Sequence, residues 1–168
     1  MIEKLQKNPL FNGFEEHEIE RLINYTKPLT IGPNQEVVRE GEKGKEMYIF
    51  VEGEAKVIRK VLLAQGVRSY TSKDKAFSVI TPEKIGFFGE MSLITGMPRS
   101  ATISTLTECK FLVMDRDSFY KLIDEYPRIG LKLLLNIAKV LCHRVENLNQ
   151  KVLKLTTVLS IVIHHKKN

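Results

Sequence analysis

Residues 86–102 read Gly86-Phe87-Phe88-Gly89-Glu90-Met91-Ser92-Leu93-Ile94-Thr95-Gly96-Met97-Pro98-Arg99-Ser100-Ala101-Thr102. The residue types suit an anion. Gly89 lets backbone approach a ligand closely, and Glu90 to Thr95 can form one helical turn whose first N–H groups lack partners within the helix. Arg99 adds a permanent, forked charge that matches phosphate oxygens, Ser100 adds a hydroxyl beside it, and Pro98 stiffens the approach. Glu90 is the odd member, because a phosphate would repel it unless its carboxylate accepts hydrogen bonds from a sugar hydroxyl. Two readings therefore stand side by side. One is a seat for a ligand that carries phosphate and ribose close together. The other is a surface ion pair between Glu90 and Arg99, worth about 0–1 kcal/mol, across an ordinary turn.

The elements around this segment are mostly strands. Phe14, Ile19, Leu22 and Ile23 repeat at helical spacing in a Glu-rich run that Pro28 closes, which predicts a short helical lead-in. Short apolar segments separated by turn residues follow: 29–31, 36–38, 47–51 and 55–62, with Gly32-Pro33-Asn34, Gly41 to Gly44 and Glu52-Gly53 between them. Such spacing predicts an antiparallel β-roll or jelly roll. Leu63 to Lys75 is polar and aperiodic, and is read as an extended hairpin loop before a strand at 77–80. Strands at 101–106 and 109–115 close the roll, a helix occupies 117–125, and Pro127 can open another. The expected class is α+β: residues 1–126 form a β-roll with N-terminal helices, 127–163 a C-terminal helix, and 164–168 a basic tail.

Phe88-Gly89-Glu90-Met91-Ser92-Leu93 followed by Pro98-Arg99-Ser100-Ala101-Thr102 resembles the phosphate-binding cassette of cyclic-nucleotide-binding domains. These domains occur in kinase regulatory subunits, gated channels and the catabolite activator protein. The resemblance spans about residues 8–150 and includes Leu10-Phe11, Glu40-Gly41-Glu42 and Tyr48-Ile49-Phe50-Val51-Glu52-Gly53. It implies that Glu90 binds the ribose 2′-hydroxyl and that Arg99 and Ser100 bind the cyclic phosphate. Backbone N–H groups of Gly89, Glu90, Met91, Ser92 and Ala101 would complete the cradle. A small residue at Ser100 resembles members that prefer cyclic AMP, with cyclic GMP as the alternative. Where the catabolite activator presents Thr and Ser to the base, this chain has Arg144 and Val145. Arg144 would then stack on or hydrogen-bond the purine, or else be a solvated helix residue. The chain departs from the usual pattern at Ile85-Gly86, where Gly-Asp is expected, and in the length of the 63–75 segment.

The long helix carries a second pattern. Leu131, Leu134, Ala138, Leu141, Val145, Leu148, Val152, Leu155, Leu159 and Val162 are spaced three then four, a heptad seam with β-branched residues at a and Leu at d. That combination favours a parallel homodimer. The competing expectation is a helix whose stripe packs on its own roll, which holds in part for Leu131 to Ala138, where Leu135 and Ile137 widen the stripe.

Composition narrows the function classes. The 168 residues carry a net charge of +6, acidic before residue 55 and basic after it. Most of the surplus fits a solvated helix face, with a functional basic patch as the lesser reading. His17, His143, His164 and His165 lie outside the strands, so an inward-facing metal set, and with it a metal-dependent enzyme of jelly-roll type, is not expected. Cys109 and Cys142 suggest reduced packing residues. No stretch reads as a signal peptide or membrane segment, and a cytoplasmic setting is expected. Six residues follow Val162, too few for a helix-turn-helix. The expectation is a non-catalytic sensor, either stand-alone, serving an unidentified protein partner, or part of a longer chain.

Overall fold

A computed structural model describes residues 1–64 and 70–165, and the side chains of all but 60–64, 70–77 and 163–165 of these. Three short helical pieces come first: α1 (Ile2–Leu5), a 3-10 turn (Pro9–Phe11) and α2 (Glu16–Ile23). Glu15 and Glu18 form a reciprocal capping box at the start of α2, satisfying N–H groups that the first turn cannot. The roll consists of β1 (Lys27–Ile31), β2 (Glu36–Val38), β3 (Glu46–Glu52), β4 (Ala55–Ala64), β5 (Tyr70–Ile80), β6 (Phe87–Phe88), β7 (Thr102–Thr105) and β8 (Cys109–Asp115). Between β6 and β7 lies α3 (Glu90–Thr95); α4 (Arg116–Glu125) and α5 (Pro127–His165) follow the roll. All pairings are antiparallel, in two four-stranded sheets ordered β1-β8-β3-β6 and β2-β7-β4-β5.

The period-two pattern of β3 and β8 explains the layering. Tyr48, Phe50, Cys109 and Phe111 face the second sheet and meet Val38, Ala55, Ile80, Phe88 and Ile103. Met47, Ile49, Val51, Leu112 and Met114 face the other way, onto Leu10, Phe11, Leu22, Phe119, Leu122, Ile129, Leu133 and Ile137 of the helical pieces. The first sheet is thus covered on one side by the second sheet and on the other by helices. The cassette joins its edge strand, since β6 pairs with Tyr48 and Ile49 of β3.

Two expectations require correction. The segment from Leu63 is paired strand: β4 runs to Ala64 and β5 starts at Tyr70, in register through Leu63↔Thr71 and Arg59↔Lys75. Ladder hydrogen bonds come from backbone groups, so a hairpin arm can extend without apolar alternation, and periodicity is silent there. The remainder of the expected loop, 65–69, lies outside the described residues. Cys142 is exposed and is not a packing residue, whereas Cys109 is buried.

The first turns of α5 dock on the N-terminal segment. Ile129, Leu133 and Ile137 are buried there, and Asn136 Nδ2 donates to the carbonyls of Leu10 and Asn12, both at 2.8 Å. Lys132 pairs with Glu18 at 2.6 Å. The docked stripe overlaps the heptad seam only at Leu134 and Leu141, which are half-buried against the core; Leu131, Val145, Leu148, Val152, Leu155, Leu159 and Val162 of the seam are exposed, as is Leu135 beside it. The helix reaches His165, two residues past its expected end. No helix among the described residues is long and apolar enough to cross a membrane.

Candidate functional site

The site grows from the turn between β6 and α3. Gly89 is the N-cap of α3 at φ 87°, a left-handed conformation, and a Cβ there would lie 2.7 Å from both the Glu46 carbonyl oxygen and Arg99 Nη1. Glycine is required on both counts. At the other end of α3, Gly96 caps at φ 76°, and Arg116 closes the last turn by donating from Nε to the Leu93 carbonyl and from Nη2 to the Ser92 carbonyl, each at 2.7 Å. The Ser92 carbonyl also accepts the Gly96 N–H at 3.0 Å, and a cation on the carbonyls at a helix C-terminus is favourable twice over, by hydrogen bonding and by the helix dipole. On the near side, buried Asn8 donates to the carbonyls of Phe50 (3.0 Å) and Gly86 (2.7 Å) and accepts from the Leu10 N–H, tying the turn before the cassette to the N-terminal segment.

Glu90, Ser92 and Arg99 are buried, Ala101 is half-buried, and Met91 and Ser100 are exposed. Glu90 and Arg99 do not pair with each other. Arg99 Nη2 meets Glu46 Oε2 at 2.9 Å, and Nη1 donates to the Glu46 carbonyl at 2.6 Å and more weakly to the Gly89 carbonyl at 3.4 Å. The Tyr48 ring lies 5.7 Å from the guanidinium, and burial raises the pKa of its phenol. Glu90 Oε1 instead accepts from Arg144 Nη1 at 2.8 Å; Arg144 also donates to the Phe87 carbonyl at 3.1 Å and sits 5.1 Å from the Phe87 ring centroid. Both charged residues of the cassette therefore have a partner of opposite charge brought from another element: β3 for Arg99 and α5 for Glu90. The surface ion pair between Glu90 and Arg99 that the sequence allowed is not formed.

Asn8, Glu46 and Arg116 contribute to the site without having stood out in the sequence. An Asn before Pro at a helical start is a capping signal that could have pointed to Asn8, which caps the 3-10 turn. Glu46 and Arg116 reach the cassette only through strand pairing and tertiary contact, and no local pattern marks them. Among the described residues no group of His, Cys, Asp or Glu is arranged to hold a metal ion.

A two-sheet β-roll interrupted by a short helix, with one buried carboxylate and one buried guanidinium flanking it, defines a class of small-molecule regulatory domains. The comparisons place the chain within that class. The family described as cyclic nucleotide-binding domain matches residues 28–126, more than half of the chain, and the chain belongs to it. The family is a regulatory, non-catalytic one. The chain is 28% identical over 152 residues to a CRP-like cAMP-activated global transcriptional regulator of Mycobacterium tuberculosis, covering 90% of this chain and 62% of that protein. It is 27% identical over 119 residues to a cAMP-dependent protein kinase regulatory subunit of Yarrowia lipolytica, covering 71% of this chain and 28% of that one. The fold matches the Thermus thermophilus catabolite activator protein with a TM-score of 0.73 at 21% identity, over 89% of this chain and 63% of that one. A cyclic nucleotide-binding domain from Methylobacillus flagellatus matches with a TM-score of 0.73 at 26% identity, over 90% and 80% of the two chains. The chain thus spans less than two thirds of the length of these curated relatives.

Proposed function

We infer that this cyclic-nucleotide-binding sensor domain prefers cyclic AMP and signals through α5, as a homodimer joined along the helical seam. One observation carries the reading: Glu90, the carboxylate assigned to the ribose, is bonded to Arg144 of α5 at 2.8 Å. A group in the ligand pocket and a group on the candidate output helix share one ion pair. A ribose 2′-hydroxyl would bond the Glu90 carboxylate, the cyclic phosphate would take Arg99, Ser100 and the N–H groups of Gly89, Glu90, Met91, Ser92 and Ala101, and Arg144 would be redirected toward the purine. Any such redirection changes what holds α5 against the roll. A ligand can bias the helix only by as much as it favours one arrangement over the other.

Support for cyclic AMP comes from the small Ser100 side chain and from the two relatives, which are described as cAMP-activated and cAMP-dependent. Support for the dimer comes from the exposed seam residues Val145, Leu148, Val152, Leu155, Leu159 and Val162, an apolar stripe that a second copy would cover. Cyclic GMP is the alternative ligand, and the sensor part of a transcription regulator the alternative setting, to which the likeness to the mycobacterial transcriptional regulator lends support.

Isothermal titration with cyclic AMP and cyclic GMP tests the ligand. Cyclic AMP is expected to bind the more tightly, and Arg99→Ala to lose at least about 1.5–3 kcal/mol of that affinity, the range for hydrogen bonds to a charged group. No heat with either nucleotide would overturn the reading; tighter cyclic GMP binding would overturn only the preference.

A further inference from the structure

The cassette arginine already carries an anion of its own. The Arg99 side chain is only 4% exposed, and the outer end of its fork is held by two oxygens of one residue: the Glu46 carbonyl at 2.6 Å on Nη1 and the Glu46 carboxylate at 2.9 Å on Nη2. A phosphate would present two oxygens to the same fork. The loop leading into β3 fixes this arrangement. The Gly41 N–H donates to the Arg99 carbonyl at 2.9 Å and the Arg99 N–H to the Glu42 carbonyl at 2.8 Å. At Gly44 a Cβ would lie 2.4 Å from Cζ, Nε and Nη2 of Arg99, so the loop backbone passes directly over the guanidinium.

Charge decides what this means for a ligand. A cyclic phosphodiester brings one negative charge to a guanidinium whose own charge Glu46 has already balanced. Two anions sharing one cation repel each other. The arginine is enclosed, so the newcomer also needs space. The Glu46 carboxylate, 41% exposed, can supply it by turning into solvent, whereas the Glu46 and Gly89 carbonyls are backbone and stay on Nη1.

We propose that Glu46 is a resident anion on Arg99 that the phosphate of a cyclic nucleotide displaces, so that this one side chain sets the affinity of the site and holds it down. The proposal rests on the cyclic-nucleotide reading of the cassette. The competing role, in which the carboxylate positions Arg99 for the phosphate, makes the opposite prediction: its removal would weaken binding.

Titration calorimetry of the wild-type chain, Glu46→Gln and Glu46→Ser, with cyclic AMP and with cyclic GMP, separates the two. Both variants keep the backbone carbonyl that anchors Nη1, and two variants guard against one that fails to fold. The expected result is binding about tenfold tighter than wild type, the modest effect of a partly exposed charge, and equally so for both nucleotides because the phosphate is common to them. The wild-type deficit should also shrink as salt screens the repulsion between the two anions. Unchanged or weaker binding in the folded variants overturns the proposal while leaving the functional reading intact, and so does a gain confined to one nucleotide. Absence of binding in the wild type and both variants overturns the functional reading, and the proposal with it.

Discussion

Arg144 stands midway along α5 and Glu90 opens α3, yet their side chains meet at 2.8 Å, with the carboxylate 4% and the guanidinium 32% exposed. This contact is the described side-chain ion pair between the cassette and the long helix. Removing Arg144 leaves a buried carboxylate without its counter-charge. Because Arg144 is itself partly solvated, Arg144→Ala is expected to cost on the order of 1–2 kcal/mol, less than for a fully buried pair. Thermal unfolding should show a fall of roughly 2–8 °C. Adding Glu90→Gln should recover most of it, since the uncompensated charge is then gone. A double variant no more stable than Arg144→Ala would mean that the pair contributes nothing specific.

The seam gives the second prediction. Leu148 is exposed, at a d position beyond the docked part of α5. Leu148→Glu places a charge in the centre of the proposed dimer contact and is expected to yield monomers in sedimentation velocity. Because Leu148 makes no contact with either core cluster, melting of the roll should be unchanged when monomeric wild type and variant are compared at high dilution. A wild type that sediments as a monomer at all concentrations would remove the dimer.

Legibility followed the range of each interaction. The roll, the turn of helix at 90–95 and the helix from Pro127 were readable because they depend on local periodicity, turn residues and one proline. Glu90 and Arg99 were readable because they lie in one cassette. Their actual partners were not: Glu46 is 53 and Arg144 is 54 positions away from the residue it holds, and only the fold brings them together. The same limit applies to α5, whose docked stripe of Ile129, Leu133 and Ile137 runs beside the heptad seam. A one-dimensional pattern sees the apolar residues and cannot tell which stripe the roll takes.

Acid should loosen the junction between the roll and α4. Asp115 ends β8 and caps α4 by accepting from the Ser118 N–H at 2.8 Å. This backbone hydrogen bond, together with Ser118 and Lys27 nearby, lowers the Asp115 pKa below its ordinary value of 3.8. A carboxyl whose folded pKa is depressed contributes stability above its unfolded pKa and loses it as pH falls through the folded one, so the cap's contribution is complete at neutral pH, begins to fall at about pH 4 and is lost progressively below it. Asp115→Ala is expected to cost about 1 kcal/mol at pH 7, or roughly 2–4 °C of melting temperature, and the gap to wild type should close in acid. A gap that does not narrow at all as pH is lowered below about 4 would show that the effect is packing and not the ionised cap.

Gly44 offers the most selective perturbation of the site. Its φ is not in the left-handed region, so the backbone itself would accept alanine; the obstacle is the Arg99 guanidinium, three of whose atoms would stand 2.4 Å from the new Cβ. The end of an arginine side chain can swing aside more cheaply than a backbone segment, but this one is buried and hydrogen-bonded, so Gly44→Ala is expected to cost about 1–3 kcal/mol of stability. The swing has a functional consequence all the same. It breaks the bonds from Nη1 and Nη2 to Glu46 and moves the only cassette cation out of the place where a phosphate would meet it. Cyclic nucleotide affinity should therefore fall about as far as in Arg99→Ala, and the melting temperature of the ligand-free protein should fall by no more than in Arg99→Ala, which loses the same bonds. Parallel calorimetric titration and thermal unfolding of Gly44→Ala and Arg99→Ala check both halves. If Gly44→Ala binds as wild type does, the guanidinium has another productive position, and the close passage of the loop over it is not what places the charge.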